Sequence, residues 1–350
     1  MDQRKIIGIS MGDPAGIGPE ITIKALADGR LYEKCRPVVY GSADILEMAA
    51  SYEGMPPVTI KKVENAGGAE FAPGIINVIH LADLVKKNEN GRPFFPRGTV
   101  SAKAGEAGLA YVLRVIEAAK AGEVDAVVTN PVNKEAVNLA GHPFSGHTEV
   151  FAEQTGTKRY TMMLAHGSLR VVHVSTHVSL REACDRVTKE NVLEKIRIAD
   201  EACRRLGIAA PRVAVAGLNP HAGENGMFGS EEIKEIRPAV EEARSLGIDA
   251  DGPVPPDTVF SKAAGGMYDI VVAMYHDQGH IPMKVLGFTY SEKEKKWNSV
   301  SGVNVTLGLP IIRTSVDHGT AYDQVGNPDV CESSLVNAVE YAVMLASDRE

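Results

Sequence analysis

The stretch DIVVAMYHDQGH, residues 269–280, decides the fold. In its first half Ile270, Val271, Val272, Ala273 and Met274 follow one another with no polar residue between them. A strand with one wet face alternates, whereas a strand covered on both faces need not. The pattern therefore predicts a central strand in a largely parallel sheet with helices on either side. The second half is the reverse, with His276, Asp277, Gln278 and His280 crowded around Gly279. In sheets of this kind ligands bind beyond the carboxyl ends of the strands, and the polar knot stands at such an end.

The pattern repeats outward in both directions. KIIGISM (5–11), RPVVYG (36–41), IINVIH (75–80), DAVVTN (125–130), TMMLAH (161–166), RVVHVST (170–176), RVAVAGL (212–218) and NVTLG (304–308) are further apolar runs. Between them AGEAGLAYVLRVIEAAKAG (104–122), ENVLEKIRIADEACRRLG (190–207), SEEIKEIRPAVEEARSLG (230–247) and SSLVNAVEYAVMLA (333–346) carry helical spacing. Gly122, Gly207 and Gly247 close the first three where a C-cap belongs. The chain is thus α/β, with too many runs for one compact domain. We expect two domains, 1–140 plus 310–350 and 141–309, with the polar stretch NLAGHPFSGHT (138–148) as the crossing point.

Bulk properties exclude several classes. With 350 residues, 44% of them hydrophobic and 23% charged, the chain can bury a sizeable core. Its net charge of -8 and lack of any basic block argue against nucleic acid as a partner. Four well-separated cysteines, Cys35, Cys184, Cys203 and Cys331, give no disulfide framework. With no secretory leader and no long apolar span, a cytoplasmic protein without a membrane partner is expected.

Histidines stand just past three of these strand ends. RVVHVSTHVSLREA puts His173 inside a strand, as a core histidine, and His177 past its end; AVAGLNPHAGENG puts His221 past another; His276 follows the third. Three imidazoles from separate strand ends suit a catalytic zinc or similar divalent ion, because three protein ligands leave a position for substrate. The other reading, in which each imidazole caps its strand by bonding loop backbone, stands on equal terms. Asp277 could hold an imidazole tautomer through its other ring nitrogen, or cap the following turn.

A second group suits anions. SGHTEV places His147 and Thr148 at the expected start of a helix, where free backbone N–H groups favour phosphate or carboxylate. Lys284 in IPMKVLGF and Arg313 in IIRTSVDHG stand in or beside apolar runs, a costly place for a charge unless a counter-ion or an anionic ligand meets it. Asn304 in GVNVTLG lies nearby in sequence. The N-terminal GISMGDPAGIGPE spaces its glycines GxxxGxG rather than GxGxxG, so it is not a dinucleotide fingerprint, and the cofactor-binding residues stay unassigned.

Together MGDPAGIGPE (11–20), TNPVNKEAVNLAGHPFSGHTE (129–149), STHVSLREA (175–183), GLNPHAGENG (217–226), PPDTVF (255–260), YHDQGH (275–280) and GVNVTLGLPIIRTSVDHGTA (302–321) resemble the 4-hydroxythreonine-4-phosphate dehydrogenase family of vitamin B6 biosynthesis, the PdxA family. The resemblance spans nearly the whole chain. It implies two α/β/α domains with a cleft between them, of the isocitrate and isopropylmalate dehydrogenase kind, in a homodimer with the active site near the subunit interface. It implies NAD, or NADP, and one divalent metal ion (zinc, magnesium, manganese or cobalt) on His177, His221 and His276, one of them contributed across the interface. The residues matching its substrate anchors are His147, Thr148, Lys284, Asn304 and Arg313; Lys284 and Asp277 are the catalytic candidates.

Within the family, FAPGIINVIH, HAGENGMFG and YHDQGHIPMKVLGF look like the branch acting on 4-phospho-D-threonate and 4-phospho-D-erythronate, and Asn225, Phe228 and His280 depart from the B6 branch. Such a substrate would be oxidised at C3 and lose carbon dioxide to give dihydroxyacetone phosphate. The alternative is 4-hydroxy-L-threonine phosphate, giving 3-amino-2-oxopropyl phosphate. The polar segment TYSEKEKKWNSVS (289–301) is an insertion in either branch, read as a flap, a subunit contact or a solvated loop.

Overall fold

In the computed structural model, which describes residues 2–85, 97–292 and 296–347, every apolar run named above becomes a strand. In chain order the strands are β1 (Lys5–Ser10), β2 (Cys35–Gly41), β3 (Thr59–Lys62), β4 (Ile75–His80), β5 (Ala126–Thr129), β6 (Thr161–His166), β7 (Leu169–His173), β8 (Arg212–Ala216), β9 (Asp249–Val254), β10 (Ile270–Ala273), β11 (Phe288–Ser291), β12 (Lys296–Val300), β13 (Val303–Leu307) and β14 (Arg313–Val316). Of those not read from sequence, β3 (TIKK) and β9 (DADGPV) are polar or glycine- and proline-bearing and stand at sheet edges, where no apolar pattern is required.

The chain divides into two compact units: Met1–Lys158 with Ser299–Val303 and Leu309–Glu350, and Arg159–Asn298 with Asn304–Gly308. The segment 141–158 therefore belongs to the first unit. That unit's sheet runs β3-β4-β2-β1-β5-β14 with every pairing parallel. Its helix Ala102–Lys120 buries Tyr111, Val112, Val115 and Ile116 while packing on β1 and β2. The C-terminal helix Ser333–Ser347 buries Leu335, Ala338, Val339 and Ala342, one helical stripe, while packing on β14, β5 and β1.

The glycines of GDPAGIGPE are used by the chain itself. A Cβ on Gly18 would stand 2.2 Å from the Met11 carbonyl oxygen, and one on Gly16 2.8 Å from that of Thr320. Glu20, fully buried, closes this region by a two-pronged pair with Arg97 at 2.8 and 2.7 Å.

The second unit's sheet runs β13-β6-β7-β10-β8-β9, with β7, β10, β8 and β9 parallel to one another. The expectation of parallel pairing fails at β6 and β7, which are antiparallel. Only Gly167 and Ser168 join them, and a parallel connection needs a dozen or more residues. Gly122, Gly207 and Gly247 each follow a helix with φ of +73° to +84°, the left-handed cap that glycine adopts without strain.

Of the insertion 289–301, residues 293–295 lie outside the described residues; on either side β11 and β12 pair as a two-stranded sheet. All four cysteines are free. No described helix is long and apolar enough to cross a membrane.

Candidate active site

Because β7, β10 and β8 are parallel neighbours, their carboxyl ends share one edge of the second unit's sheet. His276 opens the helix His276–Gly287 just past β10, and its Nδ1 lies 2.7 Å from Oδ1 of Asp277. An imidazole that gives its Nδ1–H to a carboxylate keeps its lone pair on Nε2, the tautomer a metal ligand needs. His177 brings its ring centre to 5.8 Å from that of His276. Both line a cavity of about 650 Å³ together with Thr176, Glu182, Tyr275 and Asp277.

Gln278 has a different task. Buried, it accepts the Met274 N–H at 2.6 Å and donates to the Gly217 carbonyl at 2.8 Å, joining the end of β10 to the loop after β8. Two further imidazoles complete the group. The His280 ring stacks on His276 with centres 3.6 Å apart and planes 9° apart, and His173 lies 4.7 Å from His280. His173 is 1% exposed. Burial, then the neighbouring imidazoles, hold it well below the ordinary histidine range, so it is neutral.

His221 occupies a loop of another kind. It has φ +52°, followed by Ala222 at +54°, Glu224 at +43° and Asn225 at +54°. Left-handed backbone costs an L-residue about 1–2 kcal/mol, and such outliers cluster at functional sites. Buried Glu232 holds this turn at its base, its Oε1 accepting the N–H groups of Leu218 at 2.8 Å and Asn219 at 2.7 Å. Among the described residues no three His, Cys, Asp or Glu side chains are gathered as a metal site. The donor set of His177 and His276, with the latter's Nδ1 tied back, nevertheless has the chemistry of a site for a borderline divalent ion.

Of the remaining second-unit candidates, Lys284 holds its Nζ 4.4 Å from the centre of the Phe288 ring, a cation–π contact, and Asn304 stands second in β13.

The first unit gathers cations. His147 and Thr148 do open a helix, His147–Thr155. Arg313, 3% exposed at the start of β14, donates from Nη2 to Thr129 Oγ1 at 2.8 Å and from Nη1 to Thr148 Oγ1 at 3.4 Å. Its guanidinium carbon lies 5.5 Å from the centre of the Phe151 ring. Burial pushes the Arg313 pKa down to about 10, with Glu149 opposing, so the group stays charged at neutral pH. His147 is pushed down to about 3 by burial, then by Arg313 and Lys134, and its Nε2 is out of reach of solvent with no hydrogen-bond partner among the described residues. A neutral imidazole beside a buried guanidinium and an ammonium is an arrangement that an anion completes.

Lys134 was missed from sequence, though it stands just past the carboxyl end of β5, where the same rule of strand ends points. Its Cε lies 3.8 Å from where a Cβ on Gly146 would be, beside the start of the His147 helix.

The chain matches the family profile described as pyridoxal phosphate biosynthetic protein PdxA over residues 33–342. It is 45% identical over 342 residues to the D-threonate 4-phosphate dehydrogenase of Pectobacterium atrosepticum, covering 98% of this chain and 99% of that one. It is 46% identical over 345 residues to the 4-hydroxythreonine-4-phosphate dehydrogenase of Desulfosudis oleivorans, covering 98% and 96%. Among solved structures, the 4-hydroxythreonine-4-phosphate dehydrogenase of Klebsiella pneumoniae is similar with a TM-score of 0.84 and 43% identity, over 98% of each chain.

Proposed function

The chain belongs to the PdxA family, and from that premise we propose that it oxidises the C3 hydroxyl of a four-carbon acid bearing a 4-phosphate, with loss of carbon dioxide. It is an NAD-dependent dehydrogenase, with NADP as the alternative cofactor. The observation that carries the substrate class is buried Arg313, charged and set beside His147 and Thr148, which matches a phosphate or carboxylate group.

His177, His221 and His276 would hold a divalent metal ion, one of the three contributed by a second copy of the chain. When bound, the metal supplies a lowered alcohol pKa before hydride passes to NAD and a sink for the charge left by decarboxylation. The chain's own residues do the rest. Asp277 keeps the Nδ1 proton of His276, so that Nε2 is the basic nitrogen. Arg313, Thr148 and His147 orient the anionic substrate, with Lys134 beside them; Asn304 and Lys284 are further substrate contacts, and Lys284 stabilises charge or moves a proton at C2. An isocitrate and isopropylmalate dehydrogenase-like fold is part of the same proposal. A homodimer is supported by the apolar face of the helix that His276 opens, where Ile281, Val285 and Leu286 are 60%, 71% and 45% exposed.

Two substrates fit. The first reading is 4-hydroxy-L-threonine 4-phosphate, named by the solved relative and by the relative at 46% identity. The cavity beside His276 also favours it, since its lining includes the carboxylates Glu182 and Asp277 and no lysine or arginine, a setting that receives an ammonium group. The second is 4-phospho-D-threonate or its erythronate epimer, favoured by the Pectobacterium relative's name and by Asn225, Phe228 and His280. NADH formation with each phosphate, at saturating NAD and fixed metal, tests both. The first reading expects the larger kcat/KM with the amino acid, and a preference of about tenfold for the hydroxy acid, the scale of one mispaired polar group, would replace it with the second. No NADH from any of the three would leave a metal-dependent phosphatase or a sugar-phosphate sensor instead.

A further inference from the structure

Neither ring nitrogen of His173 has a hydrogen-bond partner among the described residues, although the side chain is wholly inside the fold. A buried imidazole carries a donor and an acceptor that such a position leaves unmade, so its presence there asks for a reason in what it touches. A Cβ on residue 279 would stand 2.3 Å from His173 Nε2 and 2.7 Å from Val171 Cγ1. Only glycine lets the first turn of the helix settle onto this ring. One residue on, His280 lies over His173 at 4.7 Å and stacks nearly parallel on His276 at 3.6 Å. Its Nδ1 donates to the His276 carbonyl at 2.9 Å, which fixes its own rotamer. The rings form a column from the core outward, His173 under His280 beside His276, and Asp277 grips the last of them at Nδ1. His276 is therefore held across its face by one neighbour and at its edge by another.

Building on the metal reading above, we infer that His280 and His173 are positioning residues for the ligand imidazole: the column sets the plane in which His276 offers Nε2, and Gly279 is there to let it form. A flat ring at 280 does this, and a branched aliphatic side chain does not. The spacing of 276 and 280 is one helical turn, which makes the stack a property of the helix start rather than of loop chance.

The test uses the full chain and Co²⁺ alone, followed by its visible absorption bands, so no turnover is involved. His280→Leu should weaken Co²⁺ binding by about 10- to 100-fold, the usual loss when a residue supporting a metal ligand is removed. His280→Phe, which restores the flat ring without the Nδ1 donor, should recover most of that loss. Gly279→Ala, which lifts the helix turn off His173, should shift the Co²⁺ bands; the His280 pair of variants decides the matter if that protein does not fold. Wild-type affinity and spectrum in His280→Leu, with binding lost in His276→Ala, would overturn the inference and leave the metal reading intact. Equal losses in the Leu and Phe variants would overturn the stacking. Wild-type Co²⁺ binding in His276→Ala would remove the metal reading and the inference together.

Discussion

The imidazole group at the ends of β7 and β10 and the cation group around Arg313 handle charge in opposite ways. In the first, rings are stacked and edge-bonded, and the carboxylate nearest them, Asp277, spends an oxygen on Nδ1 of His276. Orientation is what that region controls. In the second, a guanidinium is buried and still charged, fixed by hydroxyls and an aromatic ring, beside an imidazole whose proton has been driven off. Charge is what that region controls. The contrast teaches that similar-looking polar residues at strand ends need not do similar work: the environment decides whether a histidine is a directed lone pair or a neutral member of an anion pocket.

Four substitutions or conditions bear on this contrast, in descending order of effect. His276→Ala removes a directed ligand and should lower NADH formation by roughly 10³-fold, equivalent to several kcal/mol, with circular dichroism unchanged; near-normal turnover would mean that orientation at this strand end is not used. Arg313→Ala removes a charge-assisted contact and should lower kcat/KM about 10- to 150-fold, from roughly 1.5–3 kcal/mol. NAD affinity, measured separately by calorimetry, should stay the same, and equal losses in both would deny the cation group its link to substrate. Lys134→Ala, at an exposed position, should raise KM by no more than about fivefold; kcat falling in its place would put the lysine in the chemistry instead.

The smallest effect concerns pH. Folding drives the His147 pKa down to about 3, well under its ordinary value, so between those limits the unfolded chain binds a proton that the folded chain refuses. The stability tied to His147 is thus whole above about pH 6.5 and declines as pH falls toward 3. Urea midpoints measured at pH 7 and pH 5 should fall with pH in the wild type and fall less in His147→Gln. Identical slopes would mean the imidazole is not held neutral.

Much of the fold was legible because apolar runs without alternation can satisfy their surroundings only as strands covered on both faces, and all nine of those read this way are strands. The helix ends were legible for a similar reason, since a residue that must turn left-handed after a helix is best supplied by glycine. Where local pattern carried no such demand, reading failed: β3 and β9 sit at edges, and the two-residue link before β7 reverses a strand inside an otherwise parallel set. The site divides likewise. His147 and Thr148 were recognised as a helix start and His276 as a strand end, but Gln278, which reads like a member of the polar knot, is a buried staple between β10 and the loop after β8.

The sequence by itself determined the α/β class, the strand ends at which polar residues collect and, through motifs spread along the chain, the family. Tertiary structure alone decided which of those residues meet. His173 gains its neighbours because β7 lies next to β10 and Gly279 leaves room above it, facts of sheet order and close packing that no spacing along the chain encodes. Arg313 and Thr129 are 184 residues apart and hydrogen-bonded, because β14 pairs with β5. Periodicity reports what each segment needs from its own surroundings. The partner it meets is set by the order of strands in the sheet, which depends on contacts between distant parts of the chain.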